Sequence, residues 1–333
     1  MTRISQIAGI VIILAVVAPI AASGQTPAED STVRIDTTLI SVPVIVSDRQ
    51  GRYVSGLGKD DFSLSEDGVE RPVAFFASVE EPINIALLLD TSRSTHLVLE
   101  DIKKAARLML ARLRPVDRAM IVSFDYRVQV LSRLTGDKRE LERAVDRARI
   151  GEYIGTTMYD AVAEVTEGQF RGVSGRKAII LLTDGKDAGS QVSSSELLES
   201  AAESDTLIYS VFYSTGMPAA GGRRDRFPWG DRLPQRRNRR AVEQRQRRVE
   251  RINRSASEYL QSLSDSSAGR FYQSDVADLA ETFGLVVDEL RRQYRLGFYP
   301  DEGNLDGEAH QLRVRVNRTD VAVRARKSYR VTK

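Results

Sequence analysis

Apolar residues in this chain occur mainly as short runs of strand length, and between several of them apolar residues recur at helical spacing. Ile83–Leu89 is the first such run, and the next apolar positions share one helix face, at Ile102, Ala106, Met109 and Leu113. Three further runs have strand length, at Ala119–Phe124, Lys177–Thr183 and Leu207–Tyr213. Strands that alternate with helices predict an α/β fold with a doubly wound, mainly parallel sheet covered on both faces.

The segments between these runs complete the predicted sheet. Residues 125–127 read as a turn into an edge strand at Val128–Leu131. A charged helix is expected from about Asp137 to Ala148, and a long final helix from about Asp275 to Arg292. A shorter amphipathic helix carries its apolar residues at Met158, Ala161, Val162 and Val165.

Both ends of the chain carry strand-like alternation outside that sheet. Val33–Val46 is β-rich, and residues 62–75 read as a hairpin that turns at Glu66-Asp67-Gly68. Near the C terminus the alternating positions are Tyr294, Leu296 and Phe298, then Leu312, Val314 and Val316, then Val321 and Val323. Neither end has enough strands to bury a core alone, so we expect one small β-sandwich formed by both ends, with the central domain inserted in it. The alternative is two separate hairpins docked on the central domain.

Hard oxygen donors follow the first buried run. Asp90, Ser92 and Ser94 stand at alternate positions directly after it, and a carboxylate with two hydroxyls suits Mg²⁺ or a similar cation while supplying little negative charge. A D-x-S-x-S string is weak alone, because Asp and Ser are also common turn and N-cap residues, and Ser92 and Ser94 would then only cap the following helix. Two further segments, Gly155–Asp160 and Leu181–Gly185, strengthen the prediction by their order and spacing.

With these motifs, roughly Pro82 to Leu290 resembles the von Willebrand factor type A family. The resemblance implies a Rossmann-like fold with a metal ion-dependent adhesion site, in which Ser92 and Ser94 bind the cation through their hydroxyls. Thr156 would be a direct ligand in one state of the protein, and it is chosen over Thr157 because it precedes Asp160 by four residues, as in the family's GTxxYD-type segment. Asp90 and Asp184 would act mostly through water or by holding the ligands.

The predicted architecture places these residues where a partner can reach them. In open α/β sheets, ligands bind outside the carboxyl ends of strands where the winding reverses, and Asp90 and Asp184 each follow such an end. Helix N-termini there favour an incoming carboxylate. A glutamate or aspartate of a protein partner that completes the cation's shell is the recognition mode that the resemblance implies.

The N-terminal residues predict export. Arg3 precedes an apolar run from Ile7 to Ile20, and small residues follow in 21–24, a pattern typical of a signal peptide cleaved near Gly24. The run is short for a membrane span, which takes about 20 apolar residues. We therefore expect a periplasmic, cell-surface or secreted protein, with a membrane contact only if the signal sequence is not cleaved.

Composition limits the chemistry that the chain can perform. It has no cysteine among 333 residues, which excludes disulfides, thiolate catalysis and cysteine-bound metals. His96 and His310 are its two histidines, and no G-x-S-x-G elbow is present. We therefore expect no enzymatic activity, with a metal-dependent hydrolase as the minor alternative because no tuned general base can be named.

The net charge of the chain is only +3, although one segment is rich in arginine. Met217–Ala256 holds 13 arginines against Asp225, Asp231, Glu243 and Glu250, a local charge of +9 that leaves −6 for the rest. Its first part, 216–237, reads as a mobile loop, and a helix is expected from about Arg239 to Ser264. A solvated insertion is the main interpretation, an anionic lipid, polysaccharide or acidic protein is the second, and nucleic acid is the least favoured.

These inferences give one organisation and one function. The predicted parts are a signal peptide at 1–24, β segments at 30–80 and 293–333 that pack together, and the type A domain at 82–292 with its insertion at 217–256. We expect an exported protein-binding module that holds a partner's acidic residue through a divalent cation, Mg²⁺ before Mn²⁺ or Ca²⁺. A structural cell-envelope module, in which the cation only stabilises the loops, is the alternative.

Overall fold

The computed structural model describes residues 39–78, 81–214, 235–301 and 307–330, with the side chains of 235–242 left out. The predicted signal peptide and most of the predicted loop at 216–237 lie outside these ranges. The residues in these ranges form one compact unit. None of the helices in the described ranges combines the length and the apolar character that a membrane span requires.

A six-stranded sheet forms the centre of the molecule, in the spatial order β10-β9-β8-β5-β6-β7. Its strands are β5 (Ile83–Asp90), β6 (Arg118–Phe124), β7 (Val128–Thr135), β8 (Arg176–Thr183), β9 (Thr206–Tyr213) and β10 (Phe271–Ser274). Every neighbouring pair is parallel except β6 with β7. The mainly parallel sheet is therefore confirmed. Sequence reasoning missed β10, because four residues are too few for a periodic signal.

Helices cover both faces of this sheet. They are α1 (Leu99–Ala111), α2 (Lys138–Arg147), α3 (Met158–Ala163), α4 (Ser194–Glu203), α5 (Gln235–Ser266) and α6 (Leu279–Leu290). One core cluster joins α1, α2 and α6 to one face, and a second joins α3, α4 and α5 to the other. All eight residues of β5 are buried, which is the reason for its almost continuous apolar run. Helix α5 begins at Gln235, four residues before the expected start.

Two four-stranded antiparallel sheets flank the central one, in the orders β13-β1-β11-β4 and β14-β12-β2-β3. Their strands are β1 (Ile40–Asp48), β2 (Phe62–Glu66), β3 (Val69–Arg71), β4 (Phe75–Ser78), β11 (Tyr294–Phe298), β12 (Ala309–Val316), β13 (Val321–Ala325) and β14 (Ser328–Arg330). Each sheet contains strands from both ends of the chain, and a single apolar cluster joins them. The alternative of two separate hairpins does not describe this arrangement.

Aromatic packing and a tight turn explain how the flanking sheets form. Tyr294 stacks on Tyr53 with ring centroids 5.5 Å apart and contacts Phe62 at 5.1 Å. The predicted hairpin of β2 and β3 turns at Asp67-Gly68, where both residues have positive φ angles of 48° and 85°. Two successive residues with positive φ match the right-handed twist of the strands, and this favours Asp-Gly in such turns.

Candidate metal centre

The predicted metal-binding residues lie at the carboxyl edge of the central sheet. Asp90 ends β5, and Asp184 directly follows the neighbouring strand β8. From β5 the chain proceeds to β6 on one side of the sheet and later to β8 on the other. The winding therefore reverses between these strands, which is where open α/β sheets bind ligands.

Hydrogen bonds hold Asp90 rigidly below the first loop. Its side chain is buried, and its two carboxylate oxygens accept the backbone N–H of Ser92 at 2.9 Å and the hydroxyl of Thr183 at 2.7 Å. The same Thr183 hydroxyl accepts the backbone N–H of Gly185 at 2.9 Å. Asp90 thus ties the loop after β5 to the loop after β8.

The two predicted serine ligands point their hydroxyls at each other. The Oγ atoms of Ser92 and Ser94 lie 3.0 Å apart, and neighbouring ligands in an octahedral Mg²⁺ shell with bonds of 2.0–2.1 Å are about 2.9 Å apart. Ser92 stands at the N-cap of a short 3₁₀ turn, Arg93–Thr95, but within this described turn its side chain makes no capping hydrogen bond. Simple helix capping therefore does not account for the Ser92 hydroxyl.

Thr156 and Thr157 differ in what their groups contact. The hydroxyl and the N–H of Thr157 both donate to the carbonyl oxygen of Asp125, at 3.1 and 2.7 Å. Thr156 is also buried, and its carbonyl oxygen accepts the N–H of Ala188 at 3.0 Å, which links it to the loop after β8. The backbone contact of the Thr157 hydroxyl supports the choice of Thr156, whose role as a ligand stays a prediction.

The electrostatics of the rim favour a cation. Burial first, and then the nearby Asp184 carboxylate, raise the pKa of Asp90 to about 6. Burial, together with the same two aspartates, raises the pKa of Tyr213 beneath them. Lys186 offsets part of this negative charge, because its Nζ lies 2.5 Å from an Asp184 oxygen. A buried carboxylate whose ionised form is disfavoured gains from a bound positive charge.

The donor set fits a hard divalent cation that binds largely through hydroxyl oxygens. No group of three or more His, Cys, Asp or Glu side chains that could hold a metal occurs in the described residues. Any ion at this rim would therefore depend on serine and threonine hydroxyls with the two aspartates, and oxygen-only donors suit Mg²⁺, Mn²⁺ or Ca²⁺. The identity of the five ligands stays a prediction.

Asp187 and Ser190 have a structural role. Ser190 donates to Asp187 at 2.6 Å, and both side chains accept the N–H of Tyr159 at 3.1 Å. Ser190 also accepts the N–H of Asp160 at 3.2 Å. Asp187 and Ser190 therefore cap the start of α3 and hold this helix against the loop after β8, a role for which Asp and Ser side chains are well suited.

Sequence reasoning missed three residues that position the site. They are Thr183, which holds Asp90, Lys186, which pairs with Asp184, and Asp125, whose carbonyl oxygen holds Thr157. Lys186 lies two positions after a predicted ligand, so its spacing was visible. The contact between Thr183 and Asp90 joins residues 93 positions apart, and no local pattern could have revealed it.

Comparison with known protein families gives one match to this part of the chain. A sequence model described as von Willebrand factor type A domain matches residues 85–186, a range that contains all five predicted ligand positions. No curated protein matches the chain.

Solved structures that resemble this chain do so at low identity. The von Willebrand factor type A protein from Catenulispora acidiphila is 14% identical with a TM-score of 0.46, and the match covers 90% of this chain and 76% of that one. Proximal thread matrix protein 1 of the mussel byssus is 15% identical with a TM-score of 0.46 and covers 64% of this chain, which spans about half (49%) of the mussel protein. Another structure of that mussel protein has a zinc-occupied metal ion-dependent adhesion site (MIDAS) motif.

Proposed function

This chain carries a von Willebrand factor type A domain, and from that premise we propose that it is a metal-ion-dependent protein-binding module of the adhesion type. It binds a partner protein by offering the partner's glutamate or aspartate a coordination position on a divalent cation held by Ser92, Ser94 and Thr156. Asp90 and Asp184 orient this site. The module has no catalytic turnover.

The observation that carries the proposal is the pair of hydroxyls 3.0 Å apart beside the two opposed aspartates. A bound divalent cation would supply Lewis acidity and positive charge at the rim. The chain's own residues supply neutral hydroxyls for direct contact and keep Asp90 below the loop through the Ser92 N–H and Thr183. Few charged donors leave the ion electropositive, which favours an added carboxylate.

Binding is favoured over hydrolysis by the groups around the rim. His96, the histidine closest in sequence to the site, is exposed and its Nδ1 lies 3.0 Å from the carbonyl oxygen of Arg93. This contact turns the ring toward its own turn. A general base must reach the proton that it abstracts, and His96 is held by a local contact instead.

The site of action follows from the N-terminal sequence. The apolar run at 7–20 and the small residues after it predict export. The protein would therefore work in a periplasm, at a cell surface or after release. Immunoblotting of fractionated cells that express the full chain tests this placement, and a product confined to the cytoplasm would contradict it.

Metal titration tests the site itself. Isothermal titration of the full chain with Mg²⁺, Mn²⁺ and Ca²⁺ should show one site, and Ser92→Ala or Asp184→Ala should weaken the affinity by about tenfold or more, the equivalent of about 1.4 kcal/mol. Ser262→Ala is the matched control, because this exposed hydroxyl on α5 donates only to the Glu258 carbonyl oxygen in its own helix. Unchanged metal affinity in both site variants would contradict the proposal.

Chemical crosslinking distinguishes a binding module from a structural one. The full chain is crosslinked to cell-envelope proteins with and without a chelator, and partners lost on chelation and in Ser92→Ala support metal-dependent capture. Metal uptake without any chelator-sensitive partner would favour the structural module instead.

A further inference from the structure

Large apolar side chains are exposed on the loops around the candidate metal site. Ile154 is 86% exposed, the highest value among the large hydrophobic residues that the structure describes, and Tyr153 and Tyr126 are 58% and 48% exposed. Tyr126 follows β6, and the other two precede Thr156. Single exposed apolar residues are normal, but a contiguous group at a functional rim marks an interaction surface.

These residues form a preorganised unit with an arginine. The rings of Tyr126 and Tyr153 have centroids 5.5 Å apart. The guanidinium carbon of exposed Arg127 lies 5.7 Å from the first centroid and 5.9 Å from the second, within the range of cation–π contacts. We call Tyr126, Arg127, Tyr153 and Ile154 the tyrosine patch. Because its rings and its guanidinium already pack together, a partner would order few side chains on binding.

The tyrosine patch is continuous with the metal-site loops. Gly155, between Ile154 and Thr156, has a φ of +146°, and a Cβ at Gly155 would lie 3.5 Å from Cδ2 of Tyr126. The loop of Tyr126 is also tied to the helix that follows Thr156, because the Asp125 carbonyl oxygen accepts the Thr157 N–H at 2.7 Å. A partner that reaches the cation therefore passes beside these rings.

Charge at the rim indicates which partner fits. Arg127 and Arg93 are exposed, and Lys186 at the third loop is 40% exposed in its side chain. Positive groups beside exposed apolar surface complement a segment that combines an acidic residue with apolar ones. Tyrosine and arginine are also the residue types most often found at binding hot spots.

We propose that the tyrosine patch is a second contact surface for the same partner. It receives an apolar side chain that neighbours the acidic residue in an extended protein segment. This inference rests on the proposed function, since the metal site receives the acidic residue. The tyrosine patch would make binding selective for the residues that flank the partner's acidic residue, which a cation alone cannot do.

Peptide binding to the full chain tests the patch. Three labelled Gly/Ser peptides are compared by fluorescence polarisation with Mg²⁺: one with a glutamate between two leucines, one with a glutamate between two serines, and one with glutamine between two leucines. The leucine-flanked glutamate should bind about tenfold more tightly than the serine-flanked one. Ile154→Ser and Tyr153→Ser should remove most of this preference and leave Mg²⁺ affinity unchanged.

Two variants outside the carboxyl rim serve as matched controls. Val116, 56% exposed, lies in the loop before β6 at the amino edge, and Tyr299 follows β11 with the same 48% exposure as Tyr126. Val116→Ser and Tyr299→Ser should keep the preference for the leucine-flanked peptide. Circular dichroism and Mg²⁺ titration confirm that each variant is folded.

The outcomes separate the patch from the proposed function. Equal affinities for the two glutamate peptides, or a preference that survives Ile154→Ser and Tyr153→Ser, overturns the patch, while chelator-sensitive glutamate binding would still support the metal site. A preference that depends on the patch but persists with chelator and with glutamine overturns metal-dependent capture and leaves the patch. If neither glutamate peptide binds, the patch is overturned as well.

Discussion

The two edges of the central sheet each bury an aspartate, and the pKa values of the two carboxyl groups are shifted in opposite directions. At the amino edge, burial would raise the pKa of Asp117, but hydrogen bonds from the Arg114 side chain and backbone and from the Ile83 N–H outweigh it, so this pKa lies below its usual 3.8. At the carboxyl edge, burial and Asp184 raise the pKa of Asp90 to about 6. A buried carboxylate that is held by hydrogen bonds stabilises the fold, whereas a buried carboxylate beside a second one is typical of a functional site.

The surroundings of the two aspartates explain this contrast. Asp117 accepts the guanidinium of Arg114 at 2.9 Å and two backbone N–H groups at 2.9 and 3.2 Å. Asp90 accepts hydrogen bonds from the N–H and the side chain of Ser92 and from the Thr183 hydroxyl, and none of these donors carries charge. The amino edge is therefore complete without a ligand. A cation bound at the carboxyl edge would stabilise it.

The largest expected effect is the loss of stability at the amino edge. Asp117→Ala removes the acceptor of the buried Ile83 N–H and breaks the ion pair with Arg114, so the free energy of unfolding should fall by about 3 kcal/mol at pH 7. Urea denaturation of metal-free protein measures it. Asp184→Ala is the counterpart at the carboxyl edge. In the same metal-free measurement it should lower the free energy of unfolding by less than about 1 kcal/mol, because it also relieves the repulsion with Asp90. The reverse order would contradict the comparison.

Metal should stabilise the protein through the carboxyl edge alone. With free Mg²⁺ at 100 times its dissociation constant, the free energy of unfolding should rise by about 2.7 kcal/mol. This rise should persist in Asp117→Asn and fall to about 1.4 kcal/mol or less in Ser92→Ala, whose Mg²⁺ affinity should be at least tenfold weaker, as measured by urea denaturation with and without chelator. An equal rise in both variants would mean that Mg²⁺ binds elsewhere.

Acid should selectively weaken the amino edge. Because the pKa of Asp117 is lowered in the folded state, its contribution is fully present above the unfolded value of about 3.8 and is lost as pH falls through the lower folded value. The stability deficit of Asp117→Asn, between about 1 and 2 kcal/mol at pH 7, should therefore shrink below pH 4. Denaturation curves of both proteins across this range check it, and a constant deficit would contradict the lowered pKa.

The smallest expected effect is a gain at the carboxyl edge. In metal-free protein at pH 7, Asp90→Asn removes one of the two opposed charges, and the free energy of unfolding should rise by about 1 kcal/mol. The same variant should lose the stabilisation by Mg²⁺. Ser132→Ala provides a contrast, because this buried hydroxyl accepts the Ile121 N–H at 3.0 Å and its loss should destabilise. If Asp90→Asn instead destabilises the metal-free protein, the repulsion between Asp90 and Asp184 does not lower the stability of the fold.

Local pattern predicted most of the central domain. The apolar runs located β5, β6, β8 and β9 within one residue of their observed bounds, because strands buried on both faces need apolar residues throughout. Asp137 accepts N–H groups of Arg139 and Glu140 at the start of α2, as its type and position indicate. The α/β class and the type A resemblance are both confirmed, whereas the predicted domain boundaries and ligand roles stay predictions.

Helix α5 shows where local pattern stops being informative. Leu260 and Leu263 are buried, but Val249 and Ile252, on the same apolar stripe, are 38% and 40% exposed. The helix packs on the body of the molecule toward its C-terminal half, where Ala256 and Leu260 lie against Gly185. A periodic sequence predicts a helix and its apolar face, but not how much of that face finds a neighbour.

The sequence by itself determined most of the strands and helices and the oxygen-donor motif, because each depends on residues that are close along the chain. Only the tertiary structure decided which loops meet. It brought Thr183 to Asp90, set Asp184 against Asp90, gathered Tyr126 and Tyr153 beside Thr156, and paired strands from both ends into two sheets. These are contacts between distant parts of the chain, and their energies depend on burial and distance, which no local spacing encodes.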